Sequence, residues 1–181
     1  FLQTEMRNLH PPKEDTFEDL LKEAMEQIDT GGTRGIGTGI PLLNRCTNGM
    51  QKSHFWVIAS RPAIGKTALA VNLVSHIRKE HKVSFFSLEM PALSIAQRIL
   101  CLESNIPFTR LVRGKVDVDE KRKLRGAVET LSKSGVFIHT GDSRVATIKE
   151  QIRRDVENGS EMVIIDYLNL MSGTKGSQRW E

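Results

Sequence analysis

The stretch HFWVIASRPAIGKTALAVNLVSHI, His54 to Ile77, decides how the rest of the chain is read. Phe55 to Ala59 is a short, almost wholly apolar run, the pattern of a strand covered on both faces in a parallel sheet. The segment TALAVNLVSHIRKEH then places Leu69, Leu73, Val74 and Ile77 on one face of a helix. Between them SRPAIGKT, Ser60 to Thr67, fits the phosphate-loop pattern G-x-x-x-x-G-K followed by Ser or Thr, except that Ser60 replaces the first glycine. A strand entering and a helix leaving is the context such a loop needs. There the amides of Ile64 to Thr67 point inward at a helix N-terminus, where the dipole favours anions. Gly65 admits the backbone to the phosphates, Lys66 reaches the β- and γ-phosphates, and the Thr67 hydroxyl ligates Mg²⁺. Serine is small, and it is tolerated at position 60 if no positive φ is required there. The candidate nucleotide ligands are therefore Ser60, Arg61, Pro62, Ala63, Ile64, Gly65, Lys66, Thr67 and Ala68.

Downstream, strands alternate with helices. Val83–Leu88, Val136–His139 and Met162–Asp166 read as strands. Helices are expected from about Pro91 to Glu103, from Val118 to Ser134, and along the stripe Ile148, Ile152, Val156. This is an α/β domain with a mainly parallel sheet. In MVIIDYLNLM four apolar residues run into Asp166, a strand-end acid that would face the Mg²⁺ near Thr67, largely through water. In SFFSLEMP, Glu89 lies just past the second strand at the same sheet edge. Either it orients the water that attacks a phosphate, or it sits favourably at the N-terminus of the helix opening near Pro91.

Upstream, residues 1–14 carry His-Pro-Pro and no apolar period, so they read as a linker. TFEDLLKEAMEQIDTGG then puts Phe17, Leu20, Leu21, Ala24, Met25 and Ile28 on one helical face, with Thr16 and Asp19 as a capping box and Gly31-Gly32 as the stop. That stripe packs either on its own domain or on a neighbouring subunit. GIGTGIPLLNRCTNGMQ reads as loops and tight turns. Domain boundaries follow: a linker with an amphipathic helix at 1–34 and the α/β domain at 35–181.

The chain has 181 residues, 39% of them hydrophobic and 27% charged, which suits one soluble globular domain. No apolar run approaches the ~18 residues that cross a bilayer and no signal peptide opens the sequence, so a cytoplasmic, membrane-free setting is expected. Cys46 and Cys101 have no metal-ligand spacing and are expected to be small apolar packers. The net charge of +4 permits a polyanionic partner without demanding one. Runs such as KVDVDEKRKLRGAVETLSK read as a solvated helix face. Phe1 and Glu181 both look like cut ends of something longer.

SRPAIGKTALAVNL, FFSLEM, LVRGKV and VIIDYLNLM, in this order and spacing, resemble the bacterial replicative DNA helicases of the DnaB type, and GIGTGIPLLNRCTNGMQ resembles their entry into the ATPase domain. The match runs from about Phe17 to Met171. It implies a RecA-like ATPase that works as a homo-oligomeric ring, usually a hexamer, on single-stranded DNA with ATP and Mg²⁺. Primase and a helicase loader are the further partners it implies. In that family the first loop position is commonly not glycine, Glu89 matches the catalytic carboxylate, and Lys66, Thr67 and Asp166 match the loop and strand-end residues. The segment Phe17 to Ile28 looks like the linker helix that docks on the adjacent protomer. Asn44 stands where the family usually has aspartate, and Asn169 where glutamine is common. The family's arginine finger and most DNA-contacting loops would lie beyond Glu181, so weak or no hydrolysis is expected of this segment alone. Lys175 and Arg179 either begin a DNA-facing loop or form a solvated tail. Two other readings remain at this stage: a recombinase of the RecA or RadA kind, and a non-catalytic nucleotide-binding assembly module.

Overall fold

The computed structural model describes residues 16–30, 34–52 and 54–172. The linker expected at 1–14, the Gly31-Gly32 stop, Lys175 and Arg179 fall outside them. The chain divides into two units after Gly35.

In the first unit, helix α1 spans Phe17–Asp29. Its expected capping box is formed: the Thr16 hydroxyl accepts the Asp19 N–H at 3.2 Å, and the Asp19 carboxylate accepts the Thr16 N–H at 3.2 Å. These bonds satisfy two orphan donors at the helix start. The Thr16 hydroxyl, which also donates to the Asp19 carboxylate at 2.6 Å, does most to hold that carboxyl below its ordinary range, followed by the Thr16 N–H. Every residue of the apolar stripe is exposed.

The second unit opens with helix α2 (Pro41–Thr47), where loops and turns were expected. Seven residues are too few to show a period, but the signals are local. Pro41 stands at the start, and Asn48 takes a left-handed φ of 56° at the end. Asn44, the departure from the family pattern, turns its side-chain oxygen to the Thr38 N–H at 2.9 Å and the Thr38 hydroxyl at 2.6 Å. An aspartate could accept both bonds equally, so this departure leaves the loop's support intact.

Then follow α3 (Lys66–Ile77), β1 (Lys82–Ser87), α4 (Ala92–Ser104), α5 (Phe108–Val112), α6 (Val118–Ser132), β2 (Val136–Thr140), α7 (Val145–Glu157) and β3 (Ser160–Asp166), with a short 3₁₀ turn at Leu168–Leu170. Pro91 is the N-cap of α4 rather than a member of its first turn. Among the described residues the sheet is three-stranded and parallel in the order β2-β1-β3. The central strand has period two. Val83 and Phe85, both 0% exposed, join Ala70, Val71, Leu73, Val74 and Ile77 of α3 and Ile95 and Ile99 of α4 in one core. Ser84 and Phe86 point the other way. There the Ser84 hydroxyl donates to Asp155 of α7 at 2.6 Å, and Phe86 stacks on His139 at 4.7 Å between ring centroids.

The expected strand at Phe55–Ala59 is not formed. Phe55 and Val57 are 77% and 65% exposed. A strand needs a hydrogen-bonding neighbour as well as apolar side chains, and among the described residues β3 is laddered to β1 alone. Cys101 is buried as expected, whereas Cys46 is exposed on α2. Burial pushes the Cys101 thiol above its ordinary value, and the nearby Arg98 opposes it.

Candidate functional site

The site is assembled at the carboxyl edge of the sheet. Register pairs Ser87, the last residue of β1, with Asp166, the last of β3, so both strands end side by side. The crevice outside such strand ends is where open α/β sheets take ligands. The N-terminus of α3 arrives at the same place. Its N-cap is Gly65 at φ +109°, a conformation L-residues rarely adopt, and no side chain caps its first-turn amides. The ends of α1 and α6 are instead closed by acidic capping boxes. The α3 terminus therefore keeps its donors and its positive dipole end available to an anion.

The left-handed φ values in the loop belong to Ala63 (65°) and Gly65 (109°), not to Ser60. Serine at the first position therefore carries no backbone strain, and the departure from the strict pattern has a conformational explanation. Arg61 to Gly65 are exposed, as is Ser60.

Residues 99 positions apart meet here. The Thr67 hydroxyl donates to Asp166 Oδ2 at 2.6 Å, and the Lys66 ammonium lies 3.4 Å from Asp166 Oδ1. The Asp166 side chain is only 4% exposed, a carboxylate that at this depth needs a cation or donors beside it. Lys66 also sits over the Tyr167 ring, 3.6 Å from its centroid. Tyr167 is a site residue that the string DYLNLM does not announce, because nothing in it says which way the ring faces. Glu89 is exposed on the turn after β1 and shares the edge with these three groups. The Leu88 N–H donates to the Asp166 backbone oxygen at 2.8 Å, which ties that turn to β3.

The chemistry of this cluster is that of a phosphate and hard-cation site. It offers one ammonium, one hydroxyl, one buried carboxylate and a free helix N-terminus. Among the described residues no three His, Cys, Asp or Glu side chains are grouped to hold a metal by themselves. Magnesium sites built on one or two protein oxygens and substrate phosphates do not need such a group. A separate cavity of about 350 Å³ lies along α3 among Val71, Arg98, Leu102 and Phe108, and of the loop residues only Ala68 borders it.

Away from this edge, Asp155 is 2% exposed between α7 and the sheet. Burial raises its pKa, but bonds from Ser84 (2.6 Å), Gln151 (3.2 Å) and His139 (2.7 Å) outweigh it, and the carboxyl is held below its ordinary range.

The family model for the DnaB-like helicase C terminal domain matches residues 35–181. The chain is 36% identical over 171 residues to a protein named replicative DNA helicase DnaB from Geobacillus stearothermophilus, covering 90% of this chain and 38% of that one. It is equally similar, at 36% over 171 residues, to replicative DNA helicase DnaC of Bacillus subtilis, again over 38% of its length. The chain thus spans about two fifths of these relatives. Among solved structures, an ATPase domain superposes with a TM-score of 0.83 at 25% identity, over 92% of this chain and 62% of its own. A DnaB-like replicative helicase, described together with its interactions with primase, superposes with a TM-score of 0.78 at 24% identity over 98% of this chain and 45% of its own.

Proposed function

Because this chain belongs to the family of DnaB-like helicase C-terminal domains, we propose that it is the ATP-hydrolysing motor segment of a replicative DNA helicase. The observation that carries this reading is the convergence of Lys66 and Thr67 on the buried Asp166 at a helix N-terminus left open for an anion. Membership in this family favours the helicase over the recombinase alternative.

Residues 35–181 form the motor and 1–34 the linker segment that joins it to a neighbour. The loop from Ser60 to Ala68 takes the nucleotide phosphates. Lys66 leaves Asp166 and Tyr167 to pair with the β- and γ-phosphates, replacing one anion by another. The donor set fits Mg²⁺, since the Thr67 hydroxyl and, through water, the Asp166 carboxylate are hard oxygen ligands. That ion supplies charge neutralisation on the phosphate oxygens. Glu89, exposed at the same edge, orients water for in-line attack on the γ-phosphate. An arginine from an adjacent subunit stabilises the transition state, a contribution worth ~10³ to 10⁵ in rate in other NTPases.

In cells the motor works in the cytoplasm as a homo-oligomeric ring on single-stranded DNA, with primase and a loader as partners. The test is ATP hydrolysis by the full-length protein with and without single-stranded DNA. Hydrolysis stimulated by DNA and abolished by Lys66→Ala supports the proposal. Binding without any turnover would favour the non-catalytic assembly module.

A further inference from the structure

The turn that carries Glu89 is held by contacts on either side of it, and none of them involves the Glu89 side chain. Before it, the Leu88 N–H donates to the Asp166 backbone oxygen at 2.8 Å, extending the ladder one residue past the strand. After it, the Met90 N–H donates to the Ser87 hydroxyl at 3.1 Å, and that hydroxyl donates to the Met90 carbonyl at 2.8 Å. Ser87 is 1% exposed. By the alternation of β1 it shares the face of Val83 and Phe85, and the register sets it beside the buried Asp166. A hydroxyl buried there is costly unless bonded, and both of its bonds go to one residue on the far side of Glu89. The side chain closes a ring around Leu88 and Glu89.

We infer that Ser87 is a positioning residue, which fixes the exposed Glu89 carboxylate against the Asp166 edge by clamping the turn from beneath. This rests on the reading of Glu89 as the group that orients water. A carboxylate exposed on a turn has no packing of its own to define it, so its aim is set by the backbone below. Neither hydrogen bond of the Ser87 hydroxyl reaches the phosphate loop, Lys66, Thr67 or Asp166. The expected effect is on turnover and not on nucleotide affinity.

The experiment compares Ser87→Ala, Ser87→Thr and Glu89→Gln in the full-length protein, by ATP turnover, by binding of a fluorescent ATP analogue, and by hydrogen exchange at the Met90 amide without nucleotide. Ser87→Ala is expected to lower kcat about ten- to hundredfold with unchanged nucleotide affinity and faster exchange at Met90. Ser87→Thr, which keeps the hydroxyl, recovers protection at Met90 and most of the rate. If Glu89→Gln is inactive while Ser87→Ala turns over like the wild type, the clamp has no positioning role and the inference fails alone. A loss of nucleotide affinity in Ser87→Ala at unchanged kcat also overturns it. Wild-type turnover by Glu89→Gln would remove the reading of Glu89 and the inference with it.

Discussion

Gly65→Ala tests the loop geometry through backbone strain alone. Gly65 has φ +109°, and a Cβ built there meets only the Ala68 Cβ at 3.9 Å, an ordinary contact. The substitution therefore adds no crowding. Its cost is conformational, about 1–3 kcal/mol for an L-residue held in this region. The chain can absorb that in two ways. If the loop keeps its shape, the strain appears as lost stability, a Tm lower by about 2–12 °C for a domain of this size. If the loop relaxes, stability recovers but the competent shape is lost, and nucleotide affinity falls by about 5- to 150-fold. Thermal unfolding and fluorescent-nucleotide binding on the same samples read both outcomes. Ala63→Gly is the control, because Ala63 already sits at φ 65°. Relief of about 1–2 kcal/mol of left-handed strain there is partly offset by about 0.5–1 kcal/mol of glycine entropy, so Tm should hold or rise by up to about 6 °C, opposite in sign to Gly65→Ala. Gly65→Ala with unchanged Tm and unchanged affinity would refute the argument that this turn needs glycine for its φ.

Three further predictions concern other parts of the fold. Tyr167→Leu removes the ring beneath Lys66, and with it about 0.5–2 kcal/mol from the nucleotide-free state. Nucleotide should then bind about 2- to 30-fold tighter, Tyr167→Phe should behave as wild type, and weaker binding by Tyr167→Leu would contradict the resting role of the ring. The Asp155 carboxyl has a lowered folded-state pKa, so its stabilisation is fully present above the unfolded value of about 4. That contribution is lost as pH falls through the lowered folded value, so urea melts should show the difference between wild type and Asp155→Asn shrinking below about pH 4. Ile95→Ala empties a fully buried position between α4 and the sheet and should cost about 2–5 kcal/mol in denaturant unfolding.

The sequence makes some elements legible and hides others for identifiable reasons. The strands at 82–87, 136–140 and 160–166 announce themselves through the short apolar stretches FF, VFI and MVII that they carry. Helix α1 does so because its stripe and its Thr16–Asp19 cap are local signals. The run at Phe55–Ala59 has the same composition as a buried strand, but pairing is a non-local property that composition does not carry. Helix α2 is shorter than the window in which a period is visible. Cys46 was expected inside on residue type alone, and its exposed place on α2 follows from the helix that went unseen. At the candidate site the loop pattern pointed to Lys66 and Thr67, and the run MVIID to Asp166. That all three touch, across 99 residues of chain, depends on the β1–β3 register. The ring of Tyr167 under Lys66 likewise depends on where β3 ends against α3, whereas the bonds of the Ser87 hydroxyl to Met90 are local, and the sequence marks neither.

The most direct measurement is thermal unfolding of this chain with and without Mg·ATP, with Lys66→Ala alongside. A ligand at ~100 times its dissociation constant stabilises by about 2.7 kcal/mol, which for a domain of this length is a Tm rise of about 5–10 °C. The account predicts that rise in the wild type and its loss in Lys66→Ala. An equal rise in both proteins would place the nucleotide away from Lys66 and Asp166, and would contradict the assignment of SRPAIGKT as the phosphate loop.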